Sequence, residues 1–286
     1  MNIQWYPGHM AKTRRLISEN LKIVDAVAEL VDARIPRSSR NPDIDGITGH
    51  KPKIIILNKS DMADPAANKR WIDHYKSMGR AAIAVDSISG AGIGGLKTAF
   101  ESILQEKNRR DTERGMKVRP PRIMVVGIPN VGKSSFINRL SKRAGAKTGD
   151  TPGITRDKQW IRISGGYELL DTPGILWPRF DDPTTGLYLA FTGAIKDEVY
   201  DVVEAGAHLC SYFAEKYPEN IIERYRLGDI NNMKGYEILT EIGRKRGCII
   251  SGGEVDMGRA ARILLDEFRA CRLGRITLEM PEDYDE

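Results

Sequence analysis

Residues 127–134 read Gly-Ile-Pro-Asn-Val-Gly-Lys-Ser, a GxxxxGK[ST] pattern matched at every fixed position. That composition is suited to phosphate. Loop amides can face an anion, the Lys133 ammonium can reach terminal phosphates, and the Ser134 hydroxyl is a ligand for Mg2+. Asn130, Val131, Gly132 and Ser135 are the expected remaining contacts of the loop. A phosphate loop does not name the base. Asn58-Lys59-Ser60-Asp61 reads NKxD and does. The Asp61 carboxylate can accept from the ring N–H and amino group of guanine, whereas adenine would leave it unpaired, a discrimination of about 10⁴ or more. Asn58 is expected to fix that loop and the Lys59 stem to cover the face of the base. Asp86-Ser87-Ile88-Ser89 follows a third apolar run and would close over the base from another strand end.

Two more pieces lie downstream. Asp171-Thr172-Pro173-Gly174 follows Leu169-Leu170, so Asp171 is placed to reach Mg2+ through water and the Gly174 amide to sense a γ-phosphate. Thr151-Pro152-Gly153-Ile154-Thr155 offers Thr155 as a second hydroxyl for Mg2+ on a switch loop. The reaction implied is hydrolysis of GTP to GDP and phosphate. Ras-type enzymes carry a water-orienting glutamine just after this turn; here the position is Ile175, which can neither donate nor accept. Two candidates can fill the gap. His9, in Pro7-Gly8-His9-Met10, is either a group that orients water or a surface histidine beside a turn. Asn130 sits in a loop that resembles the PNxGKS form of potassium-stimulated GTPases, and either helps hold K+ or braces the loop.

Strand-like runs must position these groups. Ile23–Val31, Lys53–Leu57, Ala81–Val85 and Ile123–Val126 are short, apolar and end at the residues just named, and Ser134–Leu140 has helical composition. Leu96–Glu106 has the pattern of an amphipathic helix, and Lys107–Arg122 reads as a charged connector ending in prolines. The motif order is unusual. NKxD precedes the phosphate loop, whereas an ordinary GTPase begins with that loop, so the fold expected is a doubly wound α/β P-loop GTPase fold, circularly permuted, followed by a smaller, mainly helical C-terminal domain.

Composition bounds the rest. The 286 residues are 41% hydrophobic and 29% charged, ordinary for a globular chain with a core in each of two domains. No apolar run nears the roughly 20 residues of a membrane span, and the N-terminus lacks the apolar core of a secretory signal, so a cytoplasmic protein is expected. Cys210, Cys248 and Cys271 are too dispersed for zinc and odd in number, hence reduced thiols. The net charge of +5 is compatible with a polyanionic partner without requiring one.

The segments WYPGHMAK, DARIP around Asp32, NKSD, GIPNVGKS, DTPGILWP and KRGCIISGGEVD resemble the ribosome biogenesis GTPase A family, bacterial assembly GTPases of permuted motif order, over almost the whole chain. The resemblance implies an N-terminal segment at 1–13, a GTPase domain at 14–178 and a helical domain at 179–286, and action late in assembly of the large ribosomal subunit, with the C-terminal domain contacting ribosomal RNA of the subunit precursor. In that domain Ala261, Leu264, Leu265, Phe268 and Cys271 recur at helical spacing, flanked by Arg259, Arg262, Arg269 and Arg272. Arg244, Lys245 and Arg246 precede Gly247, a helix end with its cap. These cations are either phosphate contacts on RNA, which the resemblance favours, or a solvated face. An RNA-binding assembly factor that uses GTP only as a docking signal is the alternative function. The final residues, PEDYDE, are expected to be disordered.

Overall fold

The computed structural model describes residues 7–115, 119–143, 160–163, 165–174, 176–177, 180 and 182–284, without the side chains of 7–13, 142 and 143. The chain divides into two compact units. One is Tyr6–Pro178 together with Thr277–Glu286, and the other is built on Arg179–Ile276.

The first unit holds a six-stranded sheet. Its strands are β1 (Ala26–Asp32), β2 (Lys53–Asn58), β3 (Ala81–Ala84), β4 (Arg122–Gly127), β5 (Trp160–Ile163) and β6 (Tyr167–Asp171). They stand in the order β3-β2-β1-β4-β6-β5, every pair parallel except β5 with β6. Among the described residues five α-helices accompany them, α1 (Pro7–Leu21), α2 (Asp43–Thr48), α3 (Pro65–Ser77), α4 (Leu96–Glu113) and α5 (Lys133–Arg143). Every residue of β1 is buried, as a central parallel strand covered on both faces must be. Met124 and Val126 of β4 pack with Ile17 and Leu21 of α1, while Ile123 and Val125 on the opposite pleat are buried as well. The chain runs from β1 outward to β3, then returns to lay β4 on the other flank of β1. That reversal opens a crevice at the carboxyl ends of β1 and β4, where α/β sheets bind ligands.

Several expectations need correction. β1 starts at Ala26, because Ile23 lies in a turn that closes α1, its N–H donating to the Asn20 carbonyl. The connector expected from Lys107 is helical as far as Glu113, where Arg109 pairs with Glu106 and Glu113, Arg110 with Glu106, and Lys107 with Asp111, all at helical spacing. Pro7-Gly8-His9-Met10 begins α1 rather than forming a separate turn. The tail from Thr277 belongs to the GTPase unit instead of the helical one, and Pro281–Tyr284 forms a 3-10 turn. As far as Tyr284 it is packed on the unit: Pro281 is buried, and the Arg37 guanidinium lies 3.8 Å from the ring centre of Tyr284, whose ring also meets Trp71; Asp285 and Glu286 lie outside the described residues.

The second unit has helices α6 (Pro183–Phe191), α7 (Val202–Lys216), α8 (Pro218–Tyr225), α9 (Gly235–Lys245) and α10 (Met257–Arg269). Asp182, Asp201 and Asp256 cap α6, α7 and α10 through their side chains. Leu209, Phe213, Ile238, Ile242, Leu264 and Phe268 are buried in its core. Cys210 and Cys248 are buried free thiols and Cys271 is a partly exposed one.

Candidate functional site

Strand register assembles the site. Asp32 lies opposite Asn58, Leu30 opposite Gly127 and Val125 opposite Asp171, so the ends of β1, β2, β4 and β6 meet at one edge of the sheet. A cavity of about 610 Å³ opens there. Lys59 lines it from the β2 side; Asn130, Gly132, Lys133, Ser134 and Ser135 line it from the phosphate loop; Asp171 and Gly174 line it from β6. Segments some seventy residues apart in sequence thus share one wall, as the permuted motif order requires.

The β2 side is stitched to the loop by side chains. Asn58 Nδ2 donates to the Val131 carbonyl at 2.8 Å, and Ser87 Oγ donates to Asn58 Oδ1 at 2.6 Å. Lys59 Nζ donates to the Asn130 carbonyl at 2.7 Å and to Asp32 Oδ2 at 2.9 Å. Close approach explains Gly132: its φ is +96°, and a Cβ there would sit 2.4 Å from Asn58 Nδ2. Ser60 is tied through its backbone, its N–H donating to Val85 and its carbonyl accepting from Asn68. Asp61 is exposed beyond the loop. Asp86, expected as a nucleotide contact, caps its own turn, where it accepts from the Ile88 and Ser89 amides at 2.7 and 3.1 Å. Burial alone would raise its carboxyl, and those hydrogen bonds more than offset that.

The loop side differs. Lys133 is buried, and its ammonium donates to the Gly127 and Ile128 carbonyls at 3.0 and 2.8 Å. Burial pushes it down to about 8, against the opposing pull of Asp171. Burial also raises Asp171, against the pull of Lys133, and its Oδ1 is buried with no hydrogen-bond partner. Ser134 and Ser135 are exposed to the cavity. Thr172 Oγ1 donates to the Val125 carbonyl at 2.6 Å and anchors the turn. Gly174 lies so close that a Cβ would fall 2.8 Å from Pro129 N and 2.9 Å from Lys133 Nζ.

Thr155 and Ile175 fall outside the described residues, as does the His9 side chain. Asp32 and Thr172 were not singled out as site residues from the sequence. The signal for Asp32 was present in its position at a strand end, one strand from Asn58.

A phosphate loop and an NKxD loop sharing one cavity on a permuted doubly wound sheet define a P-loop GTP hydrolase. The model for the 50S ribosome-binding GTPase family matches residues 122–227. Ribosome biogenesis GTPase A of Bacillus cereus is 46% identical over 286 residues, all of this chain and 96% of its own length. Two solved structures of YlqF are similar as well. The GDP-bound one has a TM-score of 0.69 at 27% identity, covering 94% of this chain and 100% of that one. The GNP-bound one, from T. maritima, has 0.65 at 26%, covering 95% and 99%. The chain belongs to the ribosome biogenesis GTPase A family.

The helical unit also revises an expectation. Arg269 is not part of a free cationic flank, because it donates to the Ala190 and Phe191 carbonyls, Asp197 and Tyr200. Arg246 pairs with Glu267 beside Arg224 and lies over the Tyr225 ring. Lys245, Arg259, Arg262 and Arg272 are exposed, with Arg272 3.9 Å from Glu267.

Proposed function

We propose that this GTPase acts as a switch in late assembly of the large ribosomal subunit, in the cytoplasm, and that its helical unit contacts RNA of the subunit precursor. The observation that carries the nucleotide reading is the shared wall, with Lys59 facing the same cavity as Lys133, Ser134 and Asp171. Asp61 reads the guanine edge while Asn58, Ser60 and Ser87 hold its loop in place. The amides of Asn130, Val131, Gly132 and Ser135 cradle phosphate, Lys133 neutralises it, and Gly174 senses the terminal group. The buried, unused Oδ1 acceptor of Asp171, in the same cavity as the exposed Ser134 hydroxyl, fits Mg2+ in the usual hard-oxygen manner, with Thr155 as a further ligand and Asp171 acting through water. When bound, Mg2+ neutralises phosphate charge. Asn130, which is exposed and lines the cavity, would help to hold K+. His9 is proposed to orient water.

The assembly role rests on family membership and on the exposed Arg259 and Arg262 of α10. Sedimentation of the full chain with ribosomal particles tests it. Co-migration with large-subunit precursors is expected with a non-hydrolysable GTP analogue, and much less with GDP or for the Arg259→Glu/Arg262→Glu variant. Co-migration indifferent to nucleotide would overturn the switch reading.

A further inference from the structure

Asp32 ends β1 one strand away from Asn58. It is buried, yet it is charged: burial alone would raise its carboxyl, and Arg34 and Lys59 beside it more than reverse this, holding it far below the usual carboxylate range. Arg34 grips it with Nε on Oδ1 at 2.9 Å, Nη2 on Oδ2 at 2.8 Å and its own amide on Oδ1 at 3.1 Å. The Asp32 amide donates to Ser39 Oγ at 2.9 Å. Asp32 and Arg34 are therefore a neutral buried pair, complete without a third ion. Lys59 is nevertheless drawn to it.

The reason lies in the lysine. Lys59 has a left-handed backbone, φ 59°, and a long stem whose freedom is costly to remove. Its ammonium is fixed between two anchors, Asp32 Oδ2 and the Asn130 carbonyl. One anchor belongs to β1 and the other to the phosphate loop, and the stem between them forms part of the cavity wall. Both bonds are charge-assisted through the ammonium, but only Asp32 sets a full opposite charge against it, so the carboxylate is the anchor that counts. We propose that Asp32, held rigid by Arg34, is a positioning residue for nucleotide affinity that acts through Lys59. This rests on the reading that the Lys59 stem covers the base.

Asp32→Asn alone would strand the Arg34 charge in the interior, so the pair is replaced together as Asp32→Asn/Arg34→Met. Affinity for a fluorescent GDP analogue is measured for the parent, this pair variant, Lys59→Met and the triple variant, with melting temperatures taken without nucleotide. The pair variant is expected to bind about tenfold more weakly, the loss typical of a hydrogen bond to a charged group. The triple variant is expected to bind no more weakly than Lys59→Met. The preference for GDP over IDP, which reads Asp61 through the 2-amino group, should stay as in the parent. Affinity of the pair variant within twofold of the parent, or its full loss repeated in the Lys59→Met background, would overturn the proposal. Lys59→Met binding as tightly as the parent would instead sink the reading of the base site. If the pair variant does not fold, Asp32→Glu keeps both charges and displaces the carboxylate by one methylene. The same dependence on Lys59 is expected of it, and its absence would count against Asp32 equally.

Discussion

The two ends of the nucleotide cavity are built differently. On the base side the polar groups are wired to one another: Asn58 uses both ends of its amide, and Lys59 bridges Asp32 and the phosphate loop. On the phosphate side, two charges are left poorly compensated. Lys133 is buried against carbonyls, and Asp171 keeps a buried oxygen without a partner. A wired wall recognises by shape and rejects what does not fit, with little rearrangement. An under-compensated pair gains most when an anion arrives with its metal, because the desolvation cost has already been met in folding. On the proposed assignment of the site, selectivity lies in the base side's geometry, and the drive to bind phosphate lies in the electrostatics of the other end.

The largest effect should come from exchanging the proposed base reader itself. Asp61→Asn turns an acceptor pair into a mixed donor and acceptor, which suits xanthine in place of guanine. The GTP to XTP affinity ratio is expected to shift by about 10³ or more, measured by competition. An unchanged ratio would show that the wired wall recognises something other than the guanine edge.

Next in size is the phosphate side. Turnover of the parent and of His9→Ala, each in KCl and in NaCl at matched ionic strength, separates two sources of help for hydrolysis. A water-orienting His9 predicts a loss of about 10²-fold at unchanged GTP affinity. A K+ held with Asn130 predicts faster turnover in KCl for both proteins. Equal turnover for the two proteins would remove His9, and equal turnover in the two salts would remove K+.

How much of this contrast could be read in advance follows from where each contact lies along the chain. The strands β2, β3 and β4, the phosphate loop and the helix after it were legible because apolar runs end at residues whose chemistry is local. So was the sharing of one cavity by NKSD and GIPNVGKS, since either motif alone would be an incomplete site. The turn that Asp86 caps was not legible, because an aspartate at a strand end looks the same whether it faces a ligand or its own turn. Arg269 was misjudged because its partners at Ala190, Phe191 and Asp197 are more than seventy residues away. Helix α4 ran past its expected end because i,i+3 and i,i+4 ion pairs support a helix whose composition alone suggests a solvated connector. The tail was missed altogether. PEDYDE is acidic enough to suggest disorder, and only the folded chain brings its Tyr284 to Arg37 and Trp71.

That tail extends the base-side wiring, and its effect should be the smallest. Thr277 Oγ1 accepts from the Asp64 amide just beyond NKSD, and the Leu278 amide donates to the Arg34 carbonyl. Glu279, fully buried, accepts from the Arg37 and Ser38 amides, from Ser38 Oγ and from the Tyr284 hydroxyl. Burial outweighs those four donors and pushes its carboxyl up to about 7. A folded value above the unfolded one means that the native state holds the proton more tightly. The resulting stabilisation is complete below the unfolded value and fades as pH rises through about 7. Between pH 5.5 and 8 the parent should therefore lose on the order of 1–3 kcal/mol relative to Glu279→Gln, which carries no titrating proton. Urea midpoints of both proteins at the two pH values measure this. A difference between them that does not change with pH, or that grows in the parent's favour as pH rises, would show that the donors keep Glu279 ionised and that the tail is held by charge instead.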